Sequence, residues 1–146
     1  MNSRYMKRRG FTLLELMVVM FILVMLAGVV TLVVVKRMEE ARHAKAVADI
    51  DTLESAIATF YLHNKVYPQN LDMLYQAPSA QDYPSWDGPY IKKPVPLDPW
   101  DQPYEYKAPG DHNKDSYDLY TLGRDGNDGG EKSDADVKNW EEAGTL

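Results

Sequence analysis

Residues 16–35 form an uncharged apolar run of twenty, interrupted only by Gly28 and Thr31. At about 1.5 Å per residue, a helix of that length reaches roughly 30 Å, the thickness of a bilayer's hydrocarbon core. The run therefore predicts a single membrane-spanning helix. Arg4, Lys7, Arg8 and Arg9 precede it, and no acidic residue comes before Glu15. Basic flanks stay cytoplasmic, so the N-terminus is expected inside and the rest of the chain across the membrane. Glu15 stands at the edge of the run, where a charge raises the cost of burial. That cost reaches about 2.5–3.5 kcal/mol at the bilayer centre and is less near the interface. Two readings stay open on local physics: a carboxylate at headgroup level, or one that pairs with a cation inside the membrane.

The string Arg8-Arg9-Gly10-Phe11-Thr12-Leu13-Leu14-Glu15 resembles the class III signal of type IV pilins and type II secretion pseudopilins. The resemblance implies that a prepilin peptidase cuts between Gly10 and Phe11 on the cytoplasmic side and N-methylates the new Phe11 amine. It also implies that Glu15 is the assembly residue, meeting the N-terminal amine of a neighbouring subunit. A carboxylate in a low-dielectric setting is tolerated when such a cation partners it. An ordinary secretory signal has a shorter apolar core that ends at a small-residue site. Ala27-Gly28 imitates that site weakly, and the run continues past it.

A chain of 146 residues leaves room, beyond the apolar run, for one domain with a modest core. The formal net charge is −6, and loss of the four basic groups in residues 1–10 leaves −10 on the side chains. An acidic exported part with no basic patch argues against nucleic acid as a partner. Cysteine is absent, which excludes disulfides and thiolate metal sites. Stability in an oxidising compartment then has to come from packing or from a bound ion.

The run passes without Gly or Pro into an amphipathic helix. Residues 36–45 are polar and rich in helix formers, with Glu39 spaced to meet Arg42 or His43 and Ala41 to sit over Lys45. Val47, Ile50, Leu53, Ile57, Phe60 and Tyr61 then recur on one face of a 3.6-residue period, the seam where a domain packs on its helix. Asn64 and Pro68 mark the end. A helix from about Phe11 to His63 would span roughly 80 Å. Relatives of the pilin type usually carry proline at the twenty-second residue of the mature chain. Leu32 stands there, so no missing N–H or ring clash forces a kink.

From Tyr67 onward the chain is loop-rich. Residues 70–75 suggest a short helix capped by Asn70, with Leu71, Leu74 and Tyr75 turned inward. Pro78, Pro84, Pro89, Pro94, Pro96, Pro99 and Pro103 then exclude helix. Tyr83, Trp86, Tyr90 and Trp100 are the expected anchors of that segment. Residues 104–107 and 117–122 alternate as strands around a turn-rich 109–115, predicting an antiparallel hairpin packed on the helix. Tyr67-Pro68, Gly88-Pro89-Tyr90-Ile91, Leu97-Asp98-Pro99-Trp100 and Leu122-Gly123-Arg124-Asp125-Gly126, in that order, are similar to the type II secretion major pseudopilin family. One departure is Asp101, where the family commonly has glycine after the tryptophan.

Ligand chemistry is confined to residues 122–136, a glycine-rich loop offering the hard oxygens of Asp125, Asn127, Asp128, Glu131, Ser133, Asp134 and Asp136. Calcium takes six to eight such oxygens at about 2.3–2.6 Å. The loop lacks the terminal bidentate Glu and flanking helices of an EF-hand, so that motif is rejected, and a solvated acidic turn is the competing reading. The resemblance implies a Ca2+ site and nominates Leu122 (carbonyl), Asp125, Asn127 (carbonyl), Ser133 and Asp134. Lys132 stands where an acidic residue would suit the later ligands. Catalysis finds no support. His43, His63 and His112 have no clustered partners and no nucleophile elbow, and there is no Walker or dinucleotide motif. His43 and His63 are expected to be solvated or to cap the helix.

The expected fold is α+β and pilin-like. A long N-terminal helix, membrane-spanning in its first half, packs on a small antiparallel sheet that carries the calcium-binding C-terminal loop. Residues 1–10 would be a cytoplasmic leader, 11–35 the transmembrane and filament-core helix, and 36–146 the periplasmic domain. The resemblance implies a non-enzymatic inner-membrane pseudopilin, single-pass, with its C-terminal domain in the periplasm. It would polymerise with itself into a pseudopilus that drives export across the outer membrane. Minor pseudopilins, the prepilin peptidase and the inner-membrane secretion platform would be its partners. A type IV pilin or minor pseudopilin is the alternative within the class, and a membrane-tethered calcium-dependent protein the alternative outside it.

Overall fold

The computed structural model describes residues 10–141, with the side chains of 28–32 and Ser133 outside that description. The leader 1–9 and the side chain of Leu32, on which two expectations rest, therefore lie outside the described residues. One α-helix, α1, runs from Leu13 to Asn64, as the absence of proline from 11–64 allows. The chain divides into two compact units between Met38 and Glu39.

In the first unit, every described side chain of residues 11–27 and 33–38 is exposed, including Leu13 at 78% and Val24 at 72%. Among the described residues no helix is long and apolar enough to cross a membrane.

In the second unit, the C-terminal part of α1 supplies the core. Ile50, Leu53, Ile57 and Phe60 are buried as the periodicity predicts, joined by Ala46 and Ala56. Tyr61 is the exception: it is 39% exposed and stacks on Tyr67 with ring centres 4.6 Å apart. His43 is buried, not solvated, and burial pushes its pKa down because the charged imidazolium loses water. Glu39 bonds Arg42 at 2.8 Å, as the spacing suggests, and also accepts from Trp100 Nε1 at 3.3 Å. The Asn64 side chain donates to the Phe60 carbonyl, and Lys65, in the left-handed region at φ 62°, closes the helix with its N–H on Tyr61 O.

The expected short helix is a single 3₁₀ turn, Leu71–Leu74. Asn70 occupies the cap position but its side chain makes no capping bond. Leu71, Met73 and Leu74 fill the core, and Tyr75 is half-buried. The proline-rich segment is held by its aromatic side chains, as expected. Tyr83 and Tyr90 meet Phe60 edge-on, Trp86 meets Tyr90 edge-on, and Trp86 Nε1 donates to Met73 O at 2.9 Å.

The predicted hairpin is real but shorter: β1 is Glu105–Lys107 and β2 is Asp118–Thr121, with Tyr106 opposite Leu119. A third strand, β3 (Val137–Lys138), pairs antiparallel with β2 and completes a sheet in the order β1-β2-β3. Two residues carry too little pattern to be read as a strand; pairing with β2 defines it. Polar bonds fasten the sheet to α1. Tyr104 donates to Asp49 at 2.9 Å, Tyr117 to Glu54 at 3.4 Å, and Asn139 to Glu54 at 3.1 Å. Burial and those carboxylate neighbours push the Tyr104 and Tyr117 hydroxyl pKa values up.

Asp101 has φ 67°. A Cβ in that left-handed conformation meets the following carbonyl, which is why glycine suits the position. Asp101→Gly is therefore expected to stabilise the chain by about 0.5–1 kcal/mol, read as a higher midpoint in urea unfolding. An unchanged or lower midpoint would show that the aspartate compensates its backbone strain.

Candidate functional site

Two regions carry the chemistry singled out in the sequence. At the start of α1, Thr12 Oγ1 accepts the Glu15 N–H at 3.2 Å, and a Glu15 carboxylate oxygen accepts the Thr12 N–H at 3.4 Å. That reciprocal pair is a capping box, written in the sequence as Thr-x-x-Glu and not read there as one. Glu15 thus has a local role, satisfying a helix-terminal donor, beside any intermolecular one. Phe11 is 76% exposed, and a Cβ built on Gly10 meets nothing within 4 Å among the described residues. No described contact demands glycine at position 10.

The C-terminal loop leaves β2 after Thr121 and returns as β3. Its glycines let it fold back on itself. Gly123 has φ 65°, and a Cβ there would lie 2.8 Å from Ala135 O; Gly130 has φ 85°, and its Cβ would lie 2.2 Å from Asp134 O. Only glycine fits these approaches. Of the nominated ligands, Asp125 is exposed, its Oδ1 accepting the Asn127 N–H at 3.1 Å. The Asn127 side-chain amide donates to Asp125 O at 2.9 Å. Asp134 Oδ1 is held by the Arg124 guanidinium at 2.9 Å. Leu122 is half-buried, and the side chain of Ser133 lies outside the described residues.

The structure does not gather these carboxylates: among the described residues no group of three or more His, Asp or Glu is placed to hold a metal ion. Three of the loop's carboxylates are matched by a basic side chain, Asp134 by Arg124, and Asp128 and Asp136 by Lys138. Hydrogen bonds from Lys138, with its positive charge, pull the exposed Asp128 pKa down. Burial lowers the Lys138 pKa, but its bonds to Asp128 and Asp136 outweigh that and raise it.

Asp136, outside the nominated five, is the informative residue. Its side chain is 3% exposed. Oδ2 accepts the Gly129 N–H at 2.8 Å and faces Lys138 at 3.0 Å, while Oδ1 is buried without a hydrogen-bond partner. A desolvated carboxylate oxygen lacking a donor is an open valence that a hard cation satisfies. In chemistry this atom and the all-oxygen donor set suit a hard cation such as calcium, although the described carboxylates are not gathered around one.

Two further carboxylates organise the surroundings and were missed in the sequence. Asp98, 4% exposed, accepts the N–H groups of Trp100 (2.9 Å) and Gln102 (2.8 Å) on Oδ1 and the Thr121 hydroxyl on Oδ2. The Gln102 side chain then reaches Gly123 O at 2.9 Å, bracing the first residues of the loop. An aspartate two residues before a turn N–H is the signal that could have found it. Asp118, 3% exposed, accepts the N–H groups of Asp111, His112 and Asn113 at 2.7, 2.9 and 2.9 Å. His112 stacks on Trp140 with ring centres 4.2 Å apart.

Residues 33–140 match the family described as Type II secretion system (T2SS), protein G, and residues 5–31 match the prokaryotic N-terminal methylation motif. The type II secretion system core protein G of Pseudomonas aeruginosa is 43% identical over 145 residues, covering 93% of this chain and 99% of that protein. The core protein G of Vibrio cholerae is 44% identical over 138 residues, covering 92% of each. Among solved structures, the major pseudopilin from the type 2 secretion system of enterohaemorrhagic Escherichia coli is similar at a TM-score of 0.55 and 31% identity, over 68% of this chain and 87% of that one. The matched segment takes in the packed part of α1, the sheet and the C-terminal loop. This chain belongs to the type II secretion system protein G family, the major pseudopilins, a family of structural subunits and not of enzymes.

Proposed function

We propose that this chain is cut between Gly10 and Phe11 by a prepilin peptidase and N-methylated on Phe11. It then polymerises with itself into a pseudopilus that serves protein export across the outer membrane. In this reading residues 16–35 span the inner membrane once before assembly, with the domain from residue 36 on the periplasmic side. Minor pseudopilins and the inner-membrane secretion platform are the assembly partners. The observation that carries it is the exposed apolar surface of residues 11–27, which lie within the match to the N-terminal methylation motif. Such a surface needs cover, which lipid supplies before assembly and neighbouring helices supply after it.

Gly10→Asp is expected to block cleavage, read as the uncut mass of the membrane-bound chain. Glu15→Ala removes both the capping carboxylate and the counter-charge for the incoming amine, so it should be cut but assemble poorly. Glu15→Gln separates the two roles, since glutamine keeps the capping box and loses the charge. Glutamine filaments at the wild-type level would sink the charge-pairing idea.

Calcium is the second half of the proposal. Leu122 and Asn127 would offer carbonyls, and Asp125, Ser133 and Asp134 side-chain oxygens; a bound ion supplies the charge that lets the loop's carboxylates approach. By linkage, ligand at a hundredfold excess over Kd adds about 2.7 kcal/mol of stability. The chain should therefore melt several degrees lower in EGTA than in calcium, and Asp125→Ala should remove the difference. Magnesium should substitute poorly, since it demands a smaller octahedral shell. Equal melting in EGTA and in millimolar calcium would reduce the loop to an acidic turn.

A further inference from the structure

The negative charge of the C-terminal loop already has a cation inside it. Lys138 Nζ lies 3.0 Å from Asp128 Oδ1, 3.0 Å from Asp136 Oδ2 and 3.8 Å from Glu141 Oε1. It also stands 5.9 Å from the centre of the Trp140 ring. Strand pairing puts it there. Thr121 faces Val137 and Tyr120 faces Lys138; Val137 is buried in the core, so strand alternation sends Lys138 to the opposite face. The Lys138 side chain is only 14% exposed and its partner Asp136 only 3%. An ordinary surface ion pair keeps both groups in water and contributes little, whereas a covered pair of this kind is held in one geometry. The same Asp136 keeps its second oxygen buried and unpartnered, so the ammonium satisfies half of what the carboxylate demands.

We propose that Lys138 is a resident cation of this loop, neutralising Asp128 and Asp136 from within the chain. The loop then keeps its fold when calcium is withdrawn, and it binds calcium more weakly than it would without the lysine. The second statement rests on the calcium reading above; the first does not. The physics is common to both. A tethered ammonium relieves carboxylate repulsion at no cost in association entropy. It also withholds carboxylate charge from an incoming ion and repels it, and ligand charge is what tunes calcium affinity. The loop would thereby be graded between two cations, one built in and one exchangeable.

The experiment uses the full-length chain in detergent as wild type, Lys138→Met and Lys138→Arg. Methionine keeps most of the stem and loses the charge; arginine keeps the charge. Thermal unfolding is followed in EGTA and in excess calcium, and terbium serves as the calcium probe, its luminescence sensitised by the nearby Trp140. In EGTA the methionine variant should melt several degrees below wild type and the arginine variant close to it. In calcium the gap should narrow, and half-saturating terbium should fall about tenfold in the methionine variant. Equal melting of all three in EGTA overturns the resident-cation role, as does a loss shared by arginine, which would mark packing instead of charge. If wild type and methionine variant both ignore calcium, the tuning role falls with the calcium reading, and the EGTA comparison alone still decides the first role.

Discussion

Asp98→Ala is expected to cost the folded chain about 3–5 kcal/mol, because it strips the acceptor from two backbone N–H groups and a buried hydroxyl together. The Thr121 hydroxyl sits in a fully buried residue, and the Trp100 and Gln102 N–H groups, in half-buried residues, are aimed at a carboxylate only 4% exposed. The loss spreads. The Gln102 side chain braces Gly123, where the C-terminal loop begins, and Trp100 reaches back to Glu39 on α1. In a domain of about a hundred residues that free energy lowers Tm by more than 10 °C. Asp98→Asn is the control. Its oxygen can keep both N–H groups and its amide can donate to Thr121 Oγ1, so about 1 kcal/mol should be lost. A wild-type melting curve for Asp98→Ala would show that the 98–102 turn holds without its carboxylate.

Asp118→Asn should cost about 2–4 kcal/mol at neutral pH, and the deficit should vanish in acid. Burial pushes the Asp118 pKa up, but the N–H groups of His112, Asn113 and Asp111 and the His112 ring outweigh it, and the net direction is down. A carboxylate depressed in the folded state binds its proton more readily when unfolded. Its stabilisation is therefore fully present above the unfolded value, about pH 4, and is lost as pH falls through the folded pKa. Asparagine presents an NH2 where one carboxylate oxygen received N–H donors, so at least one bond becomes a donor–donor contact. The wild-type advantage over Asp118→Asn, taken from urea midpoints, should shrink steadily below pH 4. An advantage constant from pH 7 to pH 2.5 would contradict the charge-based account. Gly110 belongs to the same cage: a Cβ there would lie 2.4 Å from Asp118 Oδ1, so the turn admits no side chain at that position.

How much of this could be read in advance depends on the range of the forces involved. The seam of α1 was legible at Ile50, Leu53, Ile57 and Phe60 because helical periodicity is local and apolar burial follows it. Tyr61 belonged to the same pattern and yet stays exposed, since its phenol stacks on Tyr67 instead of entering the core. His43 went the other way, polar in sequence and buried in the fold. The capping box at Thr12 and Glu15 is a purely local signal, Thr-x-x-Glu, that needs no tertiary contact to form. Asp101 was visible as a departure, but the positive φ that explains it is a backbone fact.

The sequence by itself determined the long α1, the uncharged apolar run of residues 16–35, the aromatic hold on the proline-rich segment and the oxygen-rich loop at 122–136. Each follows from residue type and spacing within a few turns of chain. Only the tertiary structure decided which carboxylates matter. Asp98, Asp118 and Asp136 look no different in sequence from Asp125 or Asp134, yet the first two are 4% and 3% exposed, the Asp136 side chain is 3% exposed, and the fold aims N–H groups or an ammonium at each. Strand β3 and the placement of Lys138 over the loop were equally out of reach, because two residues acquire a strand's geometry only by pairing with β2. Burial is a property of what lies across space, and for a charged group burial decides whether a contact contributes tenths of a kcal/mol or several.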